Sequence, residues 1–164
     1  MEYNLVEIWL RRDPTRWIAG VIGGLFAGVV ATVVAMLIAQ SAGYEMWLPV
    51  KLMGTTLLGS SATEIGAAAG ITAGATVIAG ISVFFGFVFA HFTGTNSIGA
   101  LLSMGLVWGV FSWIFIWNLF LQSFKPIYAA RIPSGAAFPV CLAYGLALAV
   151  IAVIDPVLRG SKQR

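Results

Sequence analysis

Few residues of this chain are of a type that does chemistry, and their spacing restricts what chemistry that is. Glu64, His91, Asn118 with Gln122, Cys141 and Asp155 are polar or ionisable and lie within or beside long apolar stretches. In a membrane such residues are the default functional candidates. Glu64 reads either as a first-turn carboxylate favoured by a helix dipole or as a proton or cation site facing a packed interior. His91 reads as an interfacial histidine, with Asn96 capping the next helix, or as a pH-sensitive gate or a ligand to an external cofactor. Asn118 and Gln122, with Ser103 and Ser112, suit hydrogen bonds between helices. Asp155 and Arg159 stand four apart, as an ion pair at a helix end.

What is missing narrows the class. The chain has one His and one Cys, so it cannot by itself build a zinc, iron–sulfur or bis-His haem site. Cys141 has no cysteine to pair with and sits in an apolar run, as a small buried hydrophobe does. An intramembrane enzyme needs a nucleophile and base, or clustered His and Asp, and the sequence offers neither. The reading is therefore not an enzyme. No cofactor is encoded by the chain alone. A lipid, quinone or pigment supplied from outside stays open, with Trp108, Trp113 and His91 as the side chains to meet it.

The elements that must position these residues are membrane helices. Of 164 residues 60% are hydrophobic and only 9% charged, with a mean hydropathy of +0.96, whereas a soluble domain is about 25% charged. Four segments, 18–39, 67–90, 98–121 and 135–154, are long enough to span, since a hydrocarbon core needs roughly 20 helical residues. Backbone groups in lipid must pair within their own segment, so all four are helices. The expectation is an all-α integral membrane protein, a single domain over residues 1–164. The first run is too long for a signal-peptide core, so it reads as a retained helix.

Small residues recur every four positions in two of the spans. One ladder is Gly20, Gly24 and Gly28, continued by Thr32; the other is Ala62, Gly66, Gly70 and Gly74. A step of four stays near one helix face. Lipid does not drive helices together by hydrophobicity, so close approach across small residues supplies dispersion contact instead, as in a glycine zipper. The spacing predicts a contact between the first and second spans. The third span carries two aromatic faces, Trp108, Phe111 and Phe115 on one and Trp113, Trp117, Phe120 and Phe124 on the other. The aromatics as a whole are expected to turn toward lipid, a pigment or quinone, or a partner, while Trp108 and Trp113, close to mid-depth, read as filling space opposite the glycine-rich helices. Gly105 and Gly109 echo Gly20 and Gly24.

Charge gives the orientation. Arg11, Arg12, Arg16, Arg159, Lys162 and Arg164 flank the outer ends of the first and last spans; Lys51, Lys125 and Arg131 lie in the connections of the other side. The excess places both termini in the cytoplasm, and it explains a pI of about 9.4 without nucleic acid. Residues 3–12 read as a short amphipathic helix on that face. The stretch 41–67 is half apolar, too greasy for water and too short to span, so it reads as an interfacial or re-entrant helix. Asp155-Pro156 is expected to end the last helix, because a residue before proline disfavours the α region.

Arg16 before a glycine-laddered helix, Leu48-Pro49, Gly54 and Gly59, Gly105-x2-Trp108-Gly109 and Tyr144-Gly145-Leu146-Ala147 together resemble small four-helix bacterial inner-membrane proteins of unknown function. The resemblance implies topology and the bacterial inner membrane. Members often carry histidines in the second and fourth spans, where Thr72, Thr76 and Ala143 stand here, so no activity is carried over. The expected function is an accessory or structural subunit of a larger membrane complex, bound to lipids and to other subunits or to itself. The alternative is a small oligomeric transporter or channel with Glu64 and Asn118 as its polar site.

Overall fold

In the computed structural model residues 14–63, 67–121 and 134–161 are described, and the regular elements among them are all helices. A 3-10 turn, Pro14–Arg16, leads into α1, Trp17–Ser41. A short helix α2, Leu48–Leu58, follows, closed by a 3-10 turn, Gly59–Thr63. Then come α3, Ala67–Phe92, and α4, Ile98–Ser112, which continues as a π-helix over Trp113–Leu121. The last span is α5, Ser134–Ala147, a 3-10 turn Leu148–Val150, and α6, Ile151–Ser161. Four of these units are long and apolar enough to cross a membrane: α1, α3, α4 with its π segment, and α5 with α6. Glu64, Gly66, Gln122, Phe124 and the 3–12 segment lie outside the described residues, as do the side chains of Asn118 and Phe120.

Helix contacts form where side chains are smallest. Gly20, Gly24 and Gly28 of α1 lie against Ala90, Gly86 and Ser82 of α3, in antiparallel register. A Cβ on Gly86 would come within 2.5 Å of the Gly20 carbonyl and of the Gly24 Cα, so the two backbones touch. The neighbouring Gly23 faces Ile151, which sets α6 on the other flank of α1. Gly105 and Gly109 of α4 face Gly145 and Cys141 of α5. Among the spans, glycine contacts thus join α1 to α3 and α4 to α5, each pair antiparallel.

The second ladder has a different neighbour from the one expected. Gly70 meets the Ala62 carbonyl, and Gly74 meets Val50; Gly54 of α2 fits between Gly70 and Gly74. Its small face is used by α2 and the turn after it, while α1 packs further along α3 on Ser82, Gly86 and Ala90. The α1–α3 contact is therefore made through a third stripe of small residues.

Two further expectations are corrected. The last helix does not stop at Asp155-Pro156 but runs through Pro156 to Ser161. Two arginines hold the Asp155 carboxylate and so offset the pre-proline preference for extended backbone. The aromatics of the third span do not all face outward. Phe111 and Phe115 stack on each other at 5.8 Å and are 47% and 44% exposed. Trp108 instead turns to Phe85 and Phe89 of α3, at 6.0 and 5.8 Å. Trp117 is buried against Leu52 and Ala137, and Trp113 meets Phe138 edge-on at 5.2 Å. The π turn, with its i→i+5 bonding, changes the angular step per residue, so a face counted at 3.6 residues per turn no longer holds beyond Ser112.

Candidate functional site

The two ends of the bundle differ in kind. At the end where α1 begins and α6 finishes, Phe89, Leu101, Met104, Leu148 and Ile151 fill the space between helices. Beyond them lies a polar clasp. Arg16 is 2% exposed. Its Nε faces Asp155 Oδ2 at 3.2 Å. Nη1 donates to the Thr93 carbonyl and, at 2.9 Å, to the Thr95 carbonyl. Nη2 donates to Asn96 Oδ1 at 2.5 Å. Asp155, 3% exposed, also accepts from Arg159 Nε at 3.0 Å.

The guanidinium suits this position because its planar fork offers five donors in fixed directions. One side chain therefore joins the start of α1, the α3–α4 connection and α6. Asn96 accepts Arg16 and does not cap α4: the residue before α4 is Ser97, whose backbone N–H donates to Thr95 Oγ1 at 3.1 Å. His91 lies one turn earlier in α3, partly exposed, its ring stacked on Phe87 at 6.4 Å and edge-on to Phe92 at 5.4 Å.

At the opposite end the bundle is hollow. A cavity of about 450 Å³ lies between the second half of α1, the start of α2, the middle of α3, the end of α4 and α5. Its cause is compositional. Much of its wall is small: Gly28, Ala31, Ala35 and Ala39 of α1 and Ala136 and Ala137 of α5 line it. Ile81, Phe85, Ile116 and Trp117 supply the bulkier walls.

The polar groups of the wall are few. Tyr144 Oη donates to the Ser82 carbonyl at 2.8 Å. Thr32 Oγ1 donates to the Gly28 carbonyl at 2.7 Å. Ser112, 2% exposed, lines the cavity and its Oγ makes no hydrogen bond. A buried hydroxyl without a partner costs about 1–3 kcal/mol. Trp108 Nε1, one turn before Ser112 on α4, is likewise buried without an acceptor. Cys141 is half-buried in the same wall. The described lining residues include no Asp, Glu, Lys, Arg or His. Among the described residues no three of His, Cys, Asp and Glu come together as a metal site would require.

The cavity opens between the helices and is not sealed by them. Comparison with family models, curated proteins and solved structures finds no match.

The residues singled out by the sequence fall unevenly on this geometry. The structure brings Asp155 into the clasp with Arg16, a residue read from sequence only as a topology signal. Both were visible: Asp155 interrupts an apolar run, and Arg16 abuts the first apolar residue of α1. Trp108 turns to Phe85 and Phe89 of α3 and Trp113 to Phe138 of α5, while His91 meets Phe87 and Phe92. Ser112 was noted only as a hydrogen-bonding residue, and Tyr144 only within a motif.

Proposed function

We propose that this chain is a non-catalytic integral membrane protein that works by binding, as an accessory or structural subunit of a larger membrane assembly. The observation that carries the reading is where the charges lie. The buried pair Arg16 and Asp155 is consumed in holding three segments together, and the large cavity presents only hydroxyls and a thiol. General acid–base chemistry needs a titrating group held at the reacting atom. In the clasp Asp155 is held by two arginines, and the described wall of the cavity offers no carboxylate or imidazole.

Phe111 and Phe115, stacked and facing outward, give α4 a flat aromatic face suited to a neighbouring helix or to acyl chains. The orientation proposed is the one the basic residues favour, with both termini in the cytoplasm of a bacterial inner membrane and α2 interfacial or re-entrant on the far side. The four-residue glycine contacts act as zippers between antiparallel neighbours. Mild-detergent purification from native membranes tests the reading. Stoichiometric membrane subunits, released by Phe111→Ala with Phe115→Ala, are the expected result; a homogeneous, partnerless monomer would contradict it.

The cavity favours one second reading, a small oligomeric transporter or channel. Solute flux into proteoliposomes that Ser112→Ala or Tyr144→Phe abolishes would select it over the first. Absence of flux for ions and small solutes would remove it.

A further inference from the structure

We infer that the hollow end of the bundle is a binding site for one uncharged, long-chain lipid molecule that carries a hydrogen-bond acceptor. Three observations converge on that chemistry. The first is size. About 450 Å³ is three times an engineered apolar cavity of about 150 Å³ that takes benzene, and it falls in the range of about 300–1,000 Å³ typical of small-molecule sites. The second is the wall, which is alanine, isoleucine, phenylalanine and tryptophan with no charged side chain among its described residues. An ionised group inside it would find no counter-charge, so the buried part of the ligand is neutral. The third is Ser112, 2% exposed, in the wall, with its hydroxyl unpaired.

Ser112 is the feature that sets this apart from a mere packing gap. A serine in a helix ordinarily bonds back to a carbonyl of the preceding turn, as Thr32, Thr72, Thr76, Thr93 and Ser103 all do in this chain. Ser112 does not. Its O–H is free to donate to a carbonyl or ether oxygen of a bound molecule. Tyr144 Oη, already donating to the Ser82 carbonyl, keeps lone pairs with which to accept from a ligand hydroxyl. The apolar remainder fills the volume between the alanines of α1 and α5. Two sources provide such a molecule, a neutral acyl glyceride and an isoprenoid or alkyl quinone. The inference stands independently of whether the chain is a subunit or a transporter.

The test has a direct arm and a variant arm. The protein is purified from its native membrane in mild detergent, extracted with organic solvent, and the extract identified by mass spectrometry. The delipidated protein is then titrated with monoolein and with decyl-benzoquinone, following the fluorescence of the six tryptophans, of which Trp117 lines the cavity. The expected result is one neutral chain molecule per protein in the extract, and saturable binding of one of the two probes, which identifies the source. Ala35→Phe, which fills the cavity, removes both signals while the protein stays folded; Ala136→Phe does the same from the opposite wall if the first variant does not fold. Ser112→Ala weakens probe binding by about 3- to 10-fold, the loss of one hydrogen bond. Phospholipid alone, in an amount that the filling variants leave unchanged, would overturn the inference, and so would the absence of bound lipid together with failure of both probes to bind.

Discussion

Removing the Asp155 carboxylate is the sharpest perturbation that the structure offers. In Asp155→Ala, Arg16 keeps the Thr93 and Thr95 carbonyls and Asn96 Oδ1 but loses the Asp155 carboxylate at 2% exposure. Breaking a buried pair by removing one partner costs about 3–5 kcal/mol. That is between two and nearly four orders of magnitude in the unfolding constant, about 1.4 kcal/mol for each tenfold. Arg16→Ala leaves Asp155 with Arg159 and in addition removes the donors from two carbonyls and an amide oxygen. Arg159 does not replace it, because it is already paired with Asp155 and is itself 47% exposed. Arg16→Lys keeps the charge and loses the fork, so it falls between wild type and Arg16→Ala.

The double variant Arg16→Met with Asp155→Leu decides the matter. If the two groups pair, the double loss stays close to a single one, with a coupling of about 2 kcal/mol or more. Reversible unfolding in mixed micelles on titration with SDS reads these differences. Single losses below about 1 kcal/mol, or strict additivity in the double variant, would refute the clasp.

The glycine contacts give a paired test. Gly86→Ala drives a Cβ to within 2.5 Å of the Gly20 carbonyl and Gly24 Cα, whereas Gly80 in the same helix has nothing within 4 Å. Gly80→Ala should therefore gain about 0.5–1 kcal/mol from helix propensity, and Gly86→Ala should lose stability; the reverse order of melting temperatures would undo the packing described. Tyr144→Phe removes the bond to the Ser82 carbonyl, and SDS unfolding should show a loss of about 0.6–1.5 kcal/mol; no change would mean that the bond is not made. Trp108→Phe should lose little because its Nε1 has no acceptor, while Trp108→Ala opens a void beside Phe85 and Phe89 and should lose about 3–5 kcal/mol. Equal losses would show the indole N–H to matter as much as the ring.

The spans were legible because a long apolar run in lipid has only one backbone solution. Helix partners were legible in part. Gly20, Gly24 and Gly28 announce a close contact, but the matching stripe Ser82, Gly86 and Ala90 is interleaved with Phe84, Phe85, Phe87 and Phe89, which dominate the reading of that segment. Gly70 and Gly74 looked like a mate for α1, and α2 takes them instead. The Arg16–Asp155 pair required joining two residues 139 positions apart in sequence. An arginine at the mouth of a span ordinarily snorkels to water, and nothing local says that this one turns inward. The cavity was the least legible. It is a difference between the volumes of side chains on five segments, and no single segment records it.

Native mass spectrometry of the tagged chain, ejected directly from membrane vesicles, tests the binding role most directly. The account expects the 17.4 kDa chain in a defined assembly with other membrane subunits or with copies of itself. A bare monomer of that mass, with no companion under any gentle ejection condition, would contradict it.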